Sequence, residues 1–359
     1  MSHLPFLIID PDDDSVAQSG TMERKQSIDR TAPIASLTRK ASVTADELHD
    51  LIVDAPAPKS SSRIPGFVAF PLAVILTLGT SAALYSGAAE LTGFELATIS
   101  RNVDEPLEIG ALLGWRVFEL IINWGAGFDY WDVASLVLLT NSSYYVLLSL
   151  FYTISPISIL LSLSIDLFST AVPFFLLRKV NPYNDSLPEK SVTTSTTKLY
   201  VSIFGTVIYG TTLYASLQTF LPAYIVSTFD SIRSLQAAHD ASIFILLTAC
   251  IPLGNAAKDF LFTPATFNAR GAIVEEFDPT SATLGETFAY NIGLSGWTKR
   301  EEILVRRTTL LGLLTIGNSL AKIWGTVEGA EAWGALGWGA VFAAAHGLAG
   351  AGIAYVGDV

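Results

Sequence analysis

Apolar runs alternate with short polar stretches along most of the chain. They cover residues 65–91, 107–124, 131–154, 156–177, 199–229, 241–262, 307–327 and 333–356. A helix needs about 20 mostly apolar residues to cross a hydrocarbon layer roughly 30 Å thick. The pattern therefore predicts an all-α polytopic membrane protein, a bundle of seven or eight transmembrane helices. The second and seventh runs are the ones whose crossing is in question. The second contains charges, and the seventh has only 14 uncharged residues between Arg307 and Lys322. It is short unless both side chains snorkel.

The second run also carries the first candidate chemistry. At 100° per residue, Arg116, Glu119 and Asn123 share one face, and Gly110 and Gly114 lie roughly opposite. A polar stripe backed by a glycine pair predicts a helix inside a bundle. The fourth run adds Ser155, Ser158, Ser162, Asp166, Ser169 and Pro173 along one narrow face. A carboxylate at mid-bilayer costs about 2.5–3.5 kcal/mol on insertion scales, so Asp166 needs a partner or a wet cavity. Arg116 is the expected partner, at similar depth in its own run. Asn141 and its neighbours Thr140, Ser142 and Ser143 lie at that depth on the third run. Arg116, Glu119, Asn123, Asn141, Ser162 and Asp166 are then either a midplane site for a small polar or ionic solute, or a buried ion pair with serines as interhelical glue.

On the last run Ala335, Gly339, Ala343 and Gly347 recur every four residues. This small-xxx-small row predicts close helix packing, within the chain or between two copies.

Residues 1–63 are polar and poor in aromatics, so they are expected to form a disordered tail. Ser27 and Ser42 each follow a basic pair by two residues, Arg24-Lys25 and Arg39-Lys40, as substrates of basophilic kinases do. Thr44 and Glu47 form a capping-box pattern. Glu47 with Leu51-Ile52 has the shape of an acidic dileucine sorting signal. The tail is thus expected to meet a kinase or a sorting adaptor.

Composition sharpens this picture. Of 359 residues, 50% are hydrophobic and 15% charged, and mean hydropathy is +0.46. Soluble domains carry about 25% charged residues. A net charge of −12 argues against a nucleic-acid partner. The single cysteine, Cys250, precludes an intrachain disulfide and a thiolate metal cluster. The four histidines show no metal-ligand spacing, and no cofactor or metal is expected.

Lysine and arginine placement orients the bundle. Arg39, Lys40, Lys59 and Arg63 precede the first run, so the N-terminus is expected to be cytoplasmic. With eight crossings, Arg178, Lys179, Lys190 and Lys198 also fall on that side, as does the loop 263–306 with Arg270, Lys299, Arg300 and Arg306. Removing the second run from the count would invert the 178–198 loop. Asn184-Asp185-Ser186 leans the other way, being a glycosylation acceptor pattern usable only on the luminal side. Thr298 and Glu301 form a second capping box at the start of a helix.

Glu301-Glu302-Ile303-Leu304-Val305-Arg306 and Phe342-Ala343-Ala344-Ala345-His346 resemble, in that order, two motifs of the intramembrane CAAX-processing protease family. That resemblance covers the last sixth of the chain. It implies glutamates and a histidine that activate a water on a peptide bond. A further histidine that the family carries downstream is absent. The plain reading of the same residues is a capped helix start and one histidine in a small-residue helix, with no catalytic residue.

The chain is accordingly read as a tail (1–63), a six-helix region with a midplane polar cluster (64–262), a cytoplasmic loop with short helices (263–306) and two C-terminal membrane helices (307–359). The leading functional expectation is transport or sensing of a small polar or ionic solute. The alternative is a non-catalytic membrane organising or sorting factor that acts through its tail and helix-packing faces. The expected partners are the lipid bilayer and a second copy bound through the C-terminal helix.

Overall fold

The computed structural model describes residues 65–102, 105–185, 195–268 and 298–356. Ser27, Ser42, the Thr44–Glu47 box, the dileucine pattern and most of the 263–306 loop lie outside the described residues. Every extended element among the described residues is helical. In chain order they are α1 (Gly66–Ala97), α2 (Pro106–Gly125), α3 (Tyr130–Phe151), α4 (Pro156–Leu177), α5 (Ser195–Gln218), α6 (Leu221–Thr228) and α7 (Gln236–His239). There follow α8 (Ile243–Ala249), α9 (Ile251–Ala257), α10 (Thr263–Asn268), α11 (Lys299–Ser319) and α12 (Ala332–Val356). A wide π-helical turn, Lys258–Phe262, joins α9 to α10, and a second, Leu320–Trp324, ends α11.

Local chemistry sets most of these boundaries. Asp129 caps α3, accepting from the Asp132 N–H at 3.0 Å. Ser155 caps α4 and Pro156 opens it, as proline does at a first helical position. Thr298 and Glu301 make the reciprocal capping box expected at the start of α11. Gly127 sits at φ 76° in the turn between α2 and α3, a conformation that costs glycine little. Two of the apolar runs are broken. Residues 199–229 divide into α5 and α6 just before Pro222, and α8 meets α9 at a 47° bend at Cys250, just before Pro252. Proline cannot donate to the preceding turn, so the ladder stops there.

Two sets of loops gather at opposite ends of the bundle. At one end the Arg178 guanidinium donates to the Phe128 and Asn123 carbonyls (2.8 and 3.3 Å). Nearby the Asn181 N–H meets Asp129 (2.7 Å), and Arg300 meets the Ile353 carbonyl (2.9 Å). At the other end the Arg101 N–H meets the Thr326 carbonyl (2.8 Å), and the Glu328 N–H meets the Ile99 carbonyl (2.9 Å). There too the Asp230 N–H meets the Gly329 carbonyl (2.9 Å) and the Ser155 N–H meets Glu95 (3.1 Å). Successive long helices therefore alternate in direction. The core has two apolar clusters. One, with Phe128, Leu136, Phe174 and Phe260, lies toward the first end; the other, with Phe151, Leu221, Ile225 and Trp338, lies toward the second.

Among the described residues, four helices are long and apolar enough to cross a membrane: α1 (over Gly66–Ala89), α3, α4 and α12. The bent α8–α10 stretch makes up to five. That is fewer than the seven or eight expected. The second run, α2, is not among them because Glu108, Arg116 and Glu119 dilute it. The fifth and seventh runs also fall short. α5 is rich in Thr, Ser and Gly, and α11 begins Lys-Arg-Glu-Glu and adds Arg306 and Arg307.

The expected packing of Gly110 and Gly114 is not observed. Both are exposed, with nothing within 4 Å of a Cβ built on either. The charged face of α2 turns inward and its glycines turn outward, because seating the Arg116–Glu119 pair against the bundle matters more than close backbone approach. The C-terminal row packs within the chain over most of its length. Ala335 is fully buried, a Cβ on Gly339 would stand 2.8 Å from that of Ser319, and Ala343 faces Gly312. Gly347, at the end of the row, faces open space.

The tightest crossing joins α5 and α9, where a Cβ on Gly205 would stand 3.1 Å from the Gly254 Cα. A Cβ on Gly254 would run into the Ser202 carbonyl and Thr206. Overpacking of this kind costs about 1–3 kcal/mol. Gly254→Ala is expected to lower the thermal midpoint of the detergent-purified chain by that equivalent, and Gly347→Ala to leave it unchanged; scanning fluorimetry of both variants checks this.

Candidate functional site

Two clusters of charge organise the bundle: Arg307, in the third turn of α11, and Lys322, just past its end, each meet a carboxylate on an earlier helix.

The first cluster centres on Asp166, halfway along α4. Its Oδ2 accepts from Lys322 Nζ (2.5 Å) and from the Tyr145 hydroxyl of α3 (2.9 Å). Its Oδ1 accepts from the Tyr85 hydroxyl of α1 (2.9 Å). Both oxygens are thus taken by protein donors. Lys322 lies in the π-helical turn after α11, with Nζ 5.7 and 5.8 Å from the Tyr144 and Tyr145 ring centres. Aromatic faces at that range add cation–π attraction. A π-helical turn widens the helix by one residue and breaks the usual row of side chains. Here it lets Lys322 reach inward from a helix end.

The expected Arg116–Asp166 partnership is replaced by a different pairing. Arg116 pairs with Glu119 one turn along its own helix (3.1 Å) and donates to the Thr170 hydroxyl (2.5 Å). Thr170 in turn donates to the Asp166 main-chain carbonyl (2.7 Å). Arg116 therefore lies beside the cluster while Lys322 holds the carboxylate. The reason is reach: Glu119 offers Arg116 an acceptor on the same helix face, and α2 sits at the margin of the bundle.

The other expected residues divide between neighbouring networks. Asn141 accepts from Asn318 Nδ2 (3.0 Å), whose own Oδ1 accepts from Trp115 Nε1 (3.1 Å). Ser143 and Ser319 share a hydrogen bond (2.8 Å), and Trp338 Nε1 donates to the Ser143 carbonyl (2.7 Å). These bonds stitch α2, α3, α11 and α12 together. Ser162 is buried against Tyr85, which reaches its carbonyl at 3.4 Å, and its hydroxyl has no partner among the described residues. Asn123 is buried and receives Arg178 on its carbonyl, away from Arg116.

The second cluster went unread in the sequence. Arg307, in the third turn of α11, forks onto both oxygens of Asp132 in the first turn of α3 (2.8 and 3.5 Å). It also donates to the Phe260 carbonyl (2.9 Å) and the Tyr183 hydroxyl (2.8 Å). The Tyr183 hydroxyl donates to Asp132 (2.5 Å), and Asn181 adds a third donor there (3.1 Å). Phe128 and Phe260 lie against the guanidinium, 4.9 and 5.0 Å from it. The Phe260 carbonyl comes from the other π-helical turn. Asp129, capping the same helix, accepts from Asn181 N and from Asn184 Nδ2 (3.0 Å). Burial, reinforced by the neighbouring Asp132, holds the Asp129 carboxyl above the ordinary carboxylate range. Burial likewise raises the Tyr183 phenol, keeping it a donor, and lowers the Arg178 guanidinium, whose charge lies 4.5 Å over Trp124. The Asn184 side chain, the glycosylation candidate, is thus engaged with Asp129.

The protease-like residues are engaged separately. Glu301 accepts from the Thr298 N–H and hydroxyl (2.7 and 3.0 Å), Glu302 pairs with Lys299 (2.8 Å), and His346 is fully buried with Tyr209 on its Nδ1 (2.8 Å). Among the described residues no three His, Cys, Asp or Glu side chains gather as metal ligands.

A family model described as the Bouquet formation protein 3 C-terminal domain matches residues 193–326, which is 134 of the 359. No curated protein and no solved structure matches the chain. The matched segment contains both cations, Arg307 and Lys322, and both π-helical turns. The two carboxylates, Asp132 and Asp166, lie outside it on α3 and α4.

Removing one member of a buried pair strands the other charge and costs about 3–5 kcal/mol. Arg307→Met and Lys322→Met are each expected to destabilise the chain on that scale, read as a large drop in thermal midpoint. The double variant Arg116→Gln/Glu119→Gln, which removes that neighbouring pair whole and leaves Lys322 on Asp166, should cost much less; a drop equal to that of Lys322→Met would show that Arg116 carries the pairing with Asp166.

Proposed function

We propose that this chain is a non-catalytic organising factor embedded in a membrane, of the kind that serves bouquet formation. Its bundle anchors and presents a cytoplasmic tail. The supporting observation is the match of residues 193–326 to the Bouquet formation protein 3 C-terminal domain, combined with a polar interior whose charges are spent on each other. A solute entering at Asp166 would have to displace Lys322, Tyr85 and Tyr145. That geometry favours a staple over a transport site, so the organising reading stands ahead of solute transport.

On this reading the alternating helices α1 to α5, the α8–α10 stretch, α11 and α12 make eight passes. The more polar ones, α2, α5 and α11, cross because their charged groups face inward or lie at the ends. Side chains such as Phe67, Ile75, Leu160, Phe244 and Leu313 are 62–81% exposed and would face lipid. The end that holds Asp132 carries Arg178, Lys179, Lys198, Lys258, Lys299, Arg300 and Arg306, whereas the opposite end carries Arg101 and Arg233. The positive-inside rule makes the first end cytoplasmic. The tail, with Ser27 and Ser42, and the loop 263–306 are then on that side, open to a kinase or adaptor.

Cells that lack the chain are expected to fail in bouquet formation. The full chain should restore it. Residues 64–359 alone should insert in the membrane and fail to restore it. The double variant Asp166→Leu/Lys322→Met, which removes both charges together, should insert and restore it. Normal bouquet formation without the chain would sink the proposal, and failure of the inserted double variant would favour a transport role.

A further inference from the structure

Between α2 and the end of α11 lies a cavity of about 340 Å³. It exists because α2 meets α11 through few contacts. Trp115 abuts Gly317, where a Cβ would strike its ring, and its Nε1 reaches Asn318. Toward the chain end from that contact the two helices part, and Leu112, Leu320, Ala321 and Trp324 line the gap, with Ala111 beside them. The lining is apolar except at its mouth, where Arg101 and Glu108 form an ion pair at 2.7 Å, 40% and 34% exposed. The Arg101 main chain is fixed by its bond to the Thr326 carbonyl. The flanking faces of α2 and α11 present Ile109, Leu113 and Trp324, each about half exposed.

We infer that this cavity is a binding site for a zwitterionic glycerophospholipid of the non-cytoplasmic leaflet, which rests on the membrane-embedded reading above. An acyl chain fills the apolar gap. The headgroup phosphate takes Arg101, and its amine takes Glu108, so that the two charges now paired with each other are matched by the two charges of one lipid. Charge complementarity selects this occupant: an apolar helix from a second copy would fill the gap but leave the paired charges at the mouth unused. A volume of this size lies within the range of small-ligand pockets, and a tryptophan at the end of its helix, as Trp324 is, favours the depth where acyl chains meet headgroups.

The test uses the full chain purified in detergent, with native mass spectrometry of the protein titrated with phosphatidylcholine, then with phosphatidylglycerol, which lacks the amine. The expected result is one retained phosphatidylcholine per chain and weaker retention of phosphatidylglycerol. Ala321→Phe, which fills the gap, and Arg101→Gln, which removes the phosphate partner at an exposed position, should each weaken retention by about tenfold or more. Their melting curves show that both variants fold. Equal retention by wild type and the folded Arg101→Gln variant, or no preference between the two lipids, overturns the site. So does crosslinking of a cysteine placed at Ala111 to a second copy. Alkaline carbonate extraction separates the two failures: a chain released from membranes loses the embedded reading itself, whereas a chain that stays in the membrane but binds no lipid loses only this site.

Discussion

A charge inside an apolar bundle has to be cancelled where it stands, and this fold is arranged to do so twice. Asp132 with Arg307 closes one end, and Asp166 with Lys322 closes the middle. Coulomb attraction alone does not make such pairs favourable, because desolvating two ions costs several kcal/mol each. What makes them tolerable is the donor set around them. Tyr183 and Asn181 complete Asp132, and Tyr85 and Tyr145 complete Asp166, so few acceptor positions on either carboxylate are left unfilled. α1, α3, α4 and α11 are thereby held in one register by groups that no lipid tail could replace.

The two pairs also define what the matched segment needs from the rest of the chain. Residues 193–326 supply guanidinium and ammonium; α3 and α4 supply carboxylate and phenol. Cut off at residue 193, the segment would carry the buried Arg307 and the partly buried Lys322 without these counter-charges. Tyr209 would also lose His346, which comes from α12 beyond its other limit. The folding unit is therefore wider than the matched stretch and takes in α3, α4 and α12.

How legible this was in the sequence depended on which physical quantity each feature needed. Apolar length and caps are local, so 156–177 and 333–356 became α4 and α12 almost to the residue, and the Thr298–Glu301 box opened α11 as expected. The breaks before Pro222 and Pro252 are local as well, but hydropathy averages across them. Asp166 was singled out because mid-run charge is costly. Its partner was misassigned because depth can be counted from a sequence whereas azimuth around a neighbouring helix cannot. Lys322, at the end of a short run, looks like a snorkelling residue until the π-helical turn directs it inward. Asp132 and Arg307 lie near run ends, where charge normally meets water, and nothing in their spacing marks them as 9% exposed or less.

The π-helical turns have one more implication. Each contains one residue more than a regular helix would need, and each lies beside a buried cation: Phe260 gives Arg307 a carbonyl, and the 320–324 turn carries Lys322 itself. Dropping a single residue from 320–324 would restore regular winding and remove the widened turn. Lys322 would then lose the wide turn from which it reaches Asp166. At these two places chain length is under a tighter constraint than residue identity, so a one-residue deletion there should be harder to accommodate than most substitutions.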